Sequence, residues 1–379
     1  MDRQASLLRV QREIETVTSL GYRELASHLP KDRRAIGFFC PHVPEELLHA
    51  AGAHPLRLMG IPTKLSHAPL HLPPYCCHLL KSSLESMLQG ELDFLQGVVF
   101  SHSCDSMQGL SQIWAHQGRF PIHFNLMIPT QLDSEHSRPY VRAEIERFRE
   151  FLESHSGKIT DGGMRASIQL FNRIRKNIGE IYARRHEGIA SFSAGLLAQI
   201  IRAGYLMDRV RYLDLLEALL EVLPEKAEEG KNLVPVYLSG NMAHLGSYFS
   251  LIEEAGATVV RDDLCSGART LRLMVREDVD PMEAFTERYF ASFFCPTKHM
   301  GPRAHLETLL RDVEQSGARG VIFLFYKYCE AHYFDYPDLK AALESKGIPS
   351  LLLDVEDPSY SLGQLTIRLQ AFVEMLRPI

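Results

Sequence analysis

The sequence holds no C-x-x-C pair, although it has seven cysteines in 379 residues. Zinc-ribbon and two-cluster ferredoxin patterns need such pairs and are excluded. The cysteines (Cys40, Cys76, Cys77, Cys104, Cys265, Cys295 and Cys329) are odd in number and widely spaced, which does not describe a disulfide framework. There is no G-x-x-x-x-G-K-[ST] phosphate loop, so any ATP chemistry falls to another chain. No apolar run approaches the roughly 20 residues that span a bilayer. The N-terminus is charged and amphipathic and lacks the apolar core of a signal peptide, so a cytoplasmic protein with reduced thiols is expected. No basic block interrupts the formal net charge of -6, and neither nucleic acid nor a membrane is indicated as partner. Repeats and low-complexity segments are also missing.

What is present is ordinary for a soluble globular protein: 45% hydrophobic and 23% charged residues, in a chain long enough for two domains with real cores. Residues 2–28 read as one amphipathic helix. AIGFFC (35–40), PLRLMG (55–60), GVVFSHSC (97–104) and IHFNLMIP (122–129) read as buried strands separated by helical stretches. From 137 to about 230 the pattern is helical without strand runs. Strands resume with VPVYLSG (234–240), ATVVRDD (257–263), GVIFLFY (320–326) and PSLLLDVE (349–356). The expected fold is α/β: two doubly wound, Rossmann-like parallel-sheet domains (30–136 and 231–379), a helical connector (137–230) and an N-terminal helix (1–29).

In such sheets, ligands bind beyond the carboxyl ends of the strands. Cys40 closes the first strand, and Cys104, Cys265 and Cys329 lie just past three others. Buried thiols are common as small hydrophobes. Four at strand ends, each near a following helix N-terminus that favours a thiolate, point instead to a metal site.

At these segments the chain resembles the 2-hydroxyacyl-CoA dehydratase family, which also contains benzoyl-CoA reductase subunits. The resemblance is carried by GFFCPHVPEELLHAAGAHPLRLMG, by CCHLLKSS through HSCDS, by GATVVRDDLCSGART, by KYCEAHYFDYP and by the C-terminal SLGQLTIRLQAFVEML, in the family's order. It implies a [4Fe-4S] cluster held by Cys77, Cys104 and Cys329. Cys77 is taken before Cys76 because the family cysteine stands four residues ahead of a lysine, here Lys81; His78 stands where the family usually has proline, and Cys76 remains the alternative. Three thiolates leave one iron open as a Lewis acid and electron donor.

The resemblance further implies one-electron reduction of a 2-hydroxyacyl-CoA thioester to a ketyl radical and loss of water. A homologous second subunit and a separate ATP-hydrolysing iron–sulfur activator are the implied partners. Glu46 is the implied acid/base or hydrogen-bond partner of the leaving hydroxyl, its alternative being a carboxylate favoured by a helix N-terminus. Ser103 and Asp105 flank Cys104 and either bond cluster sulfurs or cap the next helix. Cys265 and Cys295 read as buried thiols ahead of ligands. Two other activities stay open: a benzoyl-CoA reductase-type subunit, and a double-cubane low-potential reductase using Cys40, Cys77, Cys104, Cys265, Cys295 and Cys329.

Overall fold

The computed structural model describes residues 3–61, 63–186, 192–223, 233–241, 245–272, 274–291, 295–301, 303–356 and 362–377. Each apolar run expected as a strand forms one. The first four are β1 (Arg34–Phe38), β2 (Ala53–Arg57), β3 (Gly97–Ser101) and β4 (Ile122–Leu126). The second four are β5 (Val234–Gly240), β6 (Ala257–Leu264), β7 (Gly320–Tyr326) and β8 (Ser350–Val355). They make two four-stranded sheets in the orders β2-β1-β3-β4 and β6-β5-β7-β8, every pairing parallel. The chain is thus α/β with two Rossmann-like sheets.

The inner strands explain their composition. GVVFS and GVIFLFY are buried at every position, because helices cover both faces of a parallel sheet. Their alternate residues serve different cores. Val98 and Phe100 of β3, with Ile322 and Leu324 of β7, face one core shared by both sheets. Val99 faces a second core under the helices Ser137–Ser156 and Asp161–His186. Val321, Phe323 and Phe325 face a third, under the helices Ala304–Ser316 and Glu330–Ser345. The period of two along a strand produces this division.

Between β4 and β5 the chain is helical, with Ser137–Ser156 and Asp161–His186 followed by Ala194–Leu206 and Arg209–Val222. The last two begin on side-chain caps. Ser193 Oγ accepts from the Leu196 amide at 3.1 Å, and Asp208 Oδ1 from the Val210 and Arg211 amides at 3.0 Å. They supply much of the shared core and carry the N-terminal helix on their surface.

Two features differ from the sequence reading. The N-terminal helix, described over Arg3–Ser19, ends at Ser19 and does not continue to residue 28. Gly21 adopts extended backbone and starts a short second helix, its amide accepted by Glu24 at 3.2 Å. The segment around Pro281–Arg288 belongs in sequence to the second half, yet Val275, Met282 and Phe285 enter the core of the first sheet. Among the described residues, no helix is long and apolar enough to cross a membrane.

Candidate functional site

In both sheets the strand order reverses between the two central strands, β1 and β3 in one, β5 and β7 in the other. Such a reversal opens a crevice beyond the strand carboxyl ends. The two crevices share one cavity of about 110 Å³, lined by Cys40, Cys77, Cys104, Cys265, Cys295 and Cys329 together with Phe39, Arg57, Ser103, Asn241, Tyr328, Glu330 and His332. Six of the chain's seven thiols therefore meet, drawn from both halves of the molecule. Cys77 lines the cavity; Cys76 is not among the lining residues.

Three of the thiols share one local construction. Cys77, Cys104 and Cys329 are the N-cap residues of the helices His78–Leu88, Asp105–Gln117 and Glu330–Ser345. Each side chain stands where unsatisfied amides and the helix dipole favour negative charge. At Cys329 the preceding Tyr328 takes a left-handed conformation (φ 67°), which turns the chain from β7 into the helix within three residues. Lys81, from the helix after Cys77, lies 5.4 Å from the Tyr328 ring centre, so a cation–π contact spans the two halves at the rim. His332, three residues after Cys329, places Nδ1 3.3 Å from its sulfur.

The other three thiols are surrounded by buried cations. Arg269 is fully buried, donates to the Cys265 sulfur at 3.1 Å and pairs with Asp263 at 2.9 Å. The turn that carries Cys265 is held by Asp262, whose Oδ1 accepts from the Leu264 amide at 3.1 Å and the Ala268 amide at 2.8 Å. Residue 267 must be glycine here, because any side chain would collide with the Asp262 carboxylate. Arg57 donates to the backbone oxygens of Phe39 (3.3 Å) and Cys265 (2.9 Å). Lys298 donates to the oxygens of Ile128 (2.7 Å) and His102 (3.2 Å). Cys265 and Cys295, which the sequence reading set behind the others as buried thiols, stand in the same cavity as the expected ligands.

Burial pushes the thiols up, Cys104 and Cys329 to about 11 and Cys265 to about 12, with Cys40 and Cys77 also raised. These five are neutral thiols until something binds and takes their protons. Among the described residues, no three Cys, His, Asp or Glu side chains are close enough to hold a single metal ion.

The remaining expected residues separate. Ser103 lines the cavity, its hydroxyl donating to the Ser101 oxygen at 3.4 Å. Asp105 opens the helix after Cys104. Glu46 is not among the lining residues. It is fully buried and bonded to Arg175 and, at 2.9 Å, to Arg288. Burial alone would raise its pKa, but the two arginines outweigh it and bring it down to about 2. A carboxyl so acidic holds no proton near neutral pH, which opposes a proton-donating role for it. Arg57, Arg269, Lys298 and His332 carry no expected role in the sequence reading. An arginine inside the apolar run PLRLMG and a histidine one helical turn after Cys329 are the two signals that were available.

Two facing Rossmann-like domains with a thiol-lined cavity at their strand ends define the class of protein. Residues 40–376 match the family described as 2-hydroxyglutaryl-CoA dehydratase, D-component, and the chain belongs to that family of lyases. It is 27% identical to the (R)-phenyllactyl-CoA dehydratase beta subunit of Clostridium sporogenes, over 91% of this chain and 92% of that one. It is 26% identical to the lactoyl-CoA dehydratase subunit beta of Anaerotignum propionicum, over 90% and 91%. It is also 25% identical to a benzoyl-CoA reductase subunit of Thauera aromatica, over 91% of each.

Proposed function

We propose that this chain is the iron–sulfur subunit of a 2-hydroxyacyl-CoA dehydratase. The observation that carries the reading is the meeting of Cys77, Cys104 and Cys329, three helix N-caps from two sheets, in one cavity. These three would hold a [4Fe-4S] cluster, whose open iron supplies Lewis acidity and low-potential electrons to a bound acyl-CoA thioester. The chain's own residues do the rest. Ser103 offers a hydroxyl at the cavity wall, His332 orients Cys329, and the apolar side chains of Phe39, Leu80 and Met107 exclude water. Glu46 acts from outside the cavity as the buried anion that ties the helix Glu45–Ala50 to Arg175 and Arg288. The naming of relatives as beta subunits supports a homologous second subunit. Without a phosphate loop in this chain, the electron comes from a separate ATP-hydrolysing activator. A cytoplasmic location fits oxygen-sensitive iron held by reduced thiols.

A second reading has its own support: Cys40, Cys265 and Cys295 line the same cavity, and six thiolates suit a double-cubane assembly in a low-potential reductase. A benzoyl-CoA reductase-type role is supported by the relative from Thauera aromatica. Iron and acid-labile sulfide per anaerobically purified chain separate the cluster types: about four irons for one [4Fe-4S] cluster, about eight for two cubanes. A chain that stays iron-free when made with its partner subunit and reconstituted anaerobically overturns both. Dehydration of 2-hydroxyacyl-CoA in the presence of activator, against reduction of benzoyl-CoA, then decides the chemistry.

A further inference from the structure

We propose that Arg57 and Lys298 are fixed counter-charges for an anionic iron–sulfur group in the cysteine cavity, and that they raise its reduction potential. The inference rests on the reading that the cavity holds such a group, of either size. It starts from a charge that the protein alone leaves unbalanced. The buried cations Arg175, Arg209, Arg269 and Arg288 each pair with a carboxylate: Glu46, Glu45, Asp263 and Glu46 respectively. Arg57 is fully buried and Lys298 is only 4% exposed, yet among the described residues neither has a carboxylate within ion-pair distance. Their hydrogen-bond acceptors are backbone oxygens of Phe39, Cys265, His102 and Ile128, and the Arg57 guanidinium also lies 4.6 Å from the Tyr205 ring centre, a neutral partner. These oxygens hold the two cations in place without cancelling their charge.

Burying an unpaired cation is costly, and such charges persist where a counter-ion arrives. Both cations sit beside cysteines of the cavity. Arg57 lines it and donates to the Cys265 oxygen at 2.9 Å; Lys298, just outside the lining, donates its amide to the Cys295 oxygen at 2.8 Å and its ammonium to the oxygen of His102, two residues before Cys104. Glu330, the carboxylate among the lining residues, is exposed. Neutral thiols offer no counter-charge; iron-bound thiolates and sulfide do. One electron from a low-potential donor lowers the group's charge by one, with no bond or proton transferred, and two nearby cations favour that state. Electrostatic surroundings of this kind tune cluster potentials.

The test uses the full chain, reconstituted anaerobically with ferrous iron and sulfide. The midpoint potential is followed by visible absorbance, and melting temperature is measured with and without iron. Lys298→Met should bind wild-type iron, shift the midpoint to lower potential and narrow the gap between loaded and iron-free melting temperatures. Lys298→Arg should return both readouts toward wild type. Should Lys298→Met fail to fold, Arg57→Gln, which offers neutral amide N–H donors in place of the guanidinium, must give the same downward shift. An unchanged midpoint at full iron overturns the proposal, as does an equal loss of melting temperature in loaded and iron-free protein, which marks a purely structural lysine. If wild type takes up no iron, this inference and the proposed function fall together; if it takes up iron and the variants show no shift, only this inference falls.

Discussion

The two trios of thiols in the cavity are made of the same side chain and stabilised by different means. Cys77, Cys104 and Cys329 rely on main chain: each caps a helix, and its surroundings favour negative charge through amides. Cys40, Cys265 and Cys295 rely on side chains: Arg57, Arg269 and Lys298 stand around them, and none of the three begins a helix of the described residues. Main-chain stabilisation is built into the fold. Side-chain stabilisation depends on three particular residues and can be lost or adjusted by single substitutions.

The strongest way to break this comparison is to remove the thiols themselves. Alanine at Cys77, Cys104 or Cys329 is expected to abolish turnover and most bound iron, whereas alanine at Cys265 or Cys295 removes less. Iron and sulfide per chain measure both. Equal losses from the two trios would erase the distinction and favour the six-thiolate assembly. Next in size is Arg269→Met. It leaves Asp263 buried without its guanidinium, with only His305, at 3.5 Å, still opposing the effect of burial on a carboxyl now held well below its usual range. The expected cost is about 3–5 kcal/mol in urea unfolding.

Glu46 supplies a reference for what a buried anion does between two cations. Its folded pKa, about 2, lies below the ordinary carboxylate value. The stability it contributes is therefore present at neutral pH and is lost as pH falls from the ordinary range toward about 2; its size is roughly 3 kcal/mol. Urea midpoints measured down to acid pH should flatten in Glu46→Gln relative to wild type. An identical acid dependence in the two proteins would deny the pairing. The smallest effect belongs on the main-chain side. Glu85 is fully buried and accepts from Ser66 Oγ and from the His67 and Ala68 amides, each at 2.8 Å, which fixes the loop before Cys76. Glu85→Gln is expected to cost about 1–3 kcal/mol while leaving the iron content near wild type.

Much of the scaffold was legible because its signals are local. Apolar runs such as GVIFLFY can satisfy themselves only in a buried parallel strand, and all eight expected runs form strands. The positions of Cys40, Cys104, Cys265 and Cys329 after such runs pointed to strand ends. What stayed hidden depends on contacts distant in sequence. Lys298 sits in PTKHM, which has no periodicity to read, and gains its meaning from the oxygens of His102 and Ile128, 196 and 170 residues earlier. The crossing of Met282 and Phe285 to the first sheet is equally non-local. The break at Gly21 was missed because the apolar spacing continues past it, and only the capping by Glu24 shows that the helix restarts. Glu46 illustrates a further limit: a motif position identifies a carboxylate, but only its neighbours decide whether it can carry a proton.

The core shared by the two sheets has a thermodynamic consequence. Side chains of β1, β2 and β3 and of β5, β6 and β7 pack into one continuous apolar cluster with the helices Ala194–Leu206 and Arg209–Val222 and the N-terminal helix. Melting either sheet alone would bare the other's half of that cluster to water, so neither half is a free-standing cooperative unit. Calorimetry of the iron-free chain should accordingly give one heat-absorption peak, with equal calorimetric and van't Hoff enthalpies, where two sheets joined only by a tether would give two.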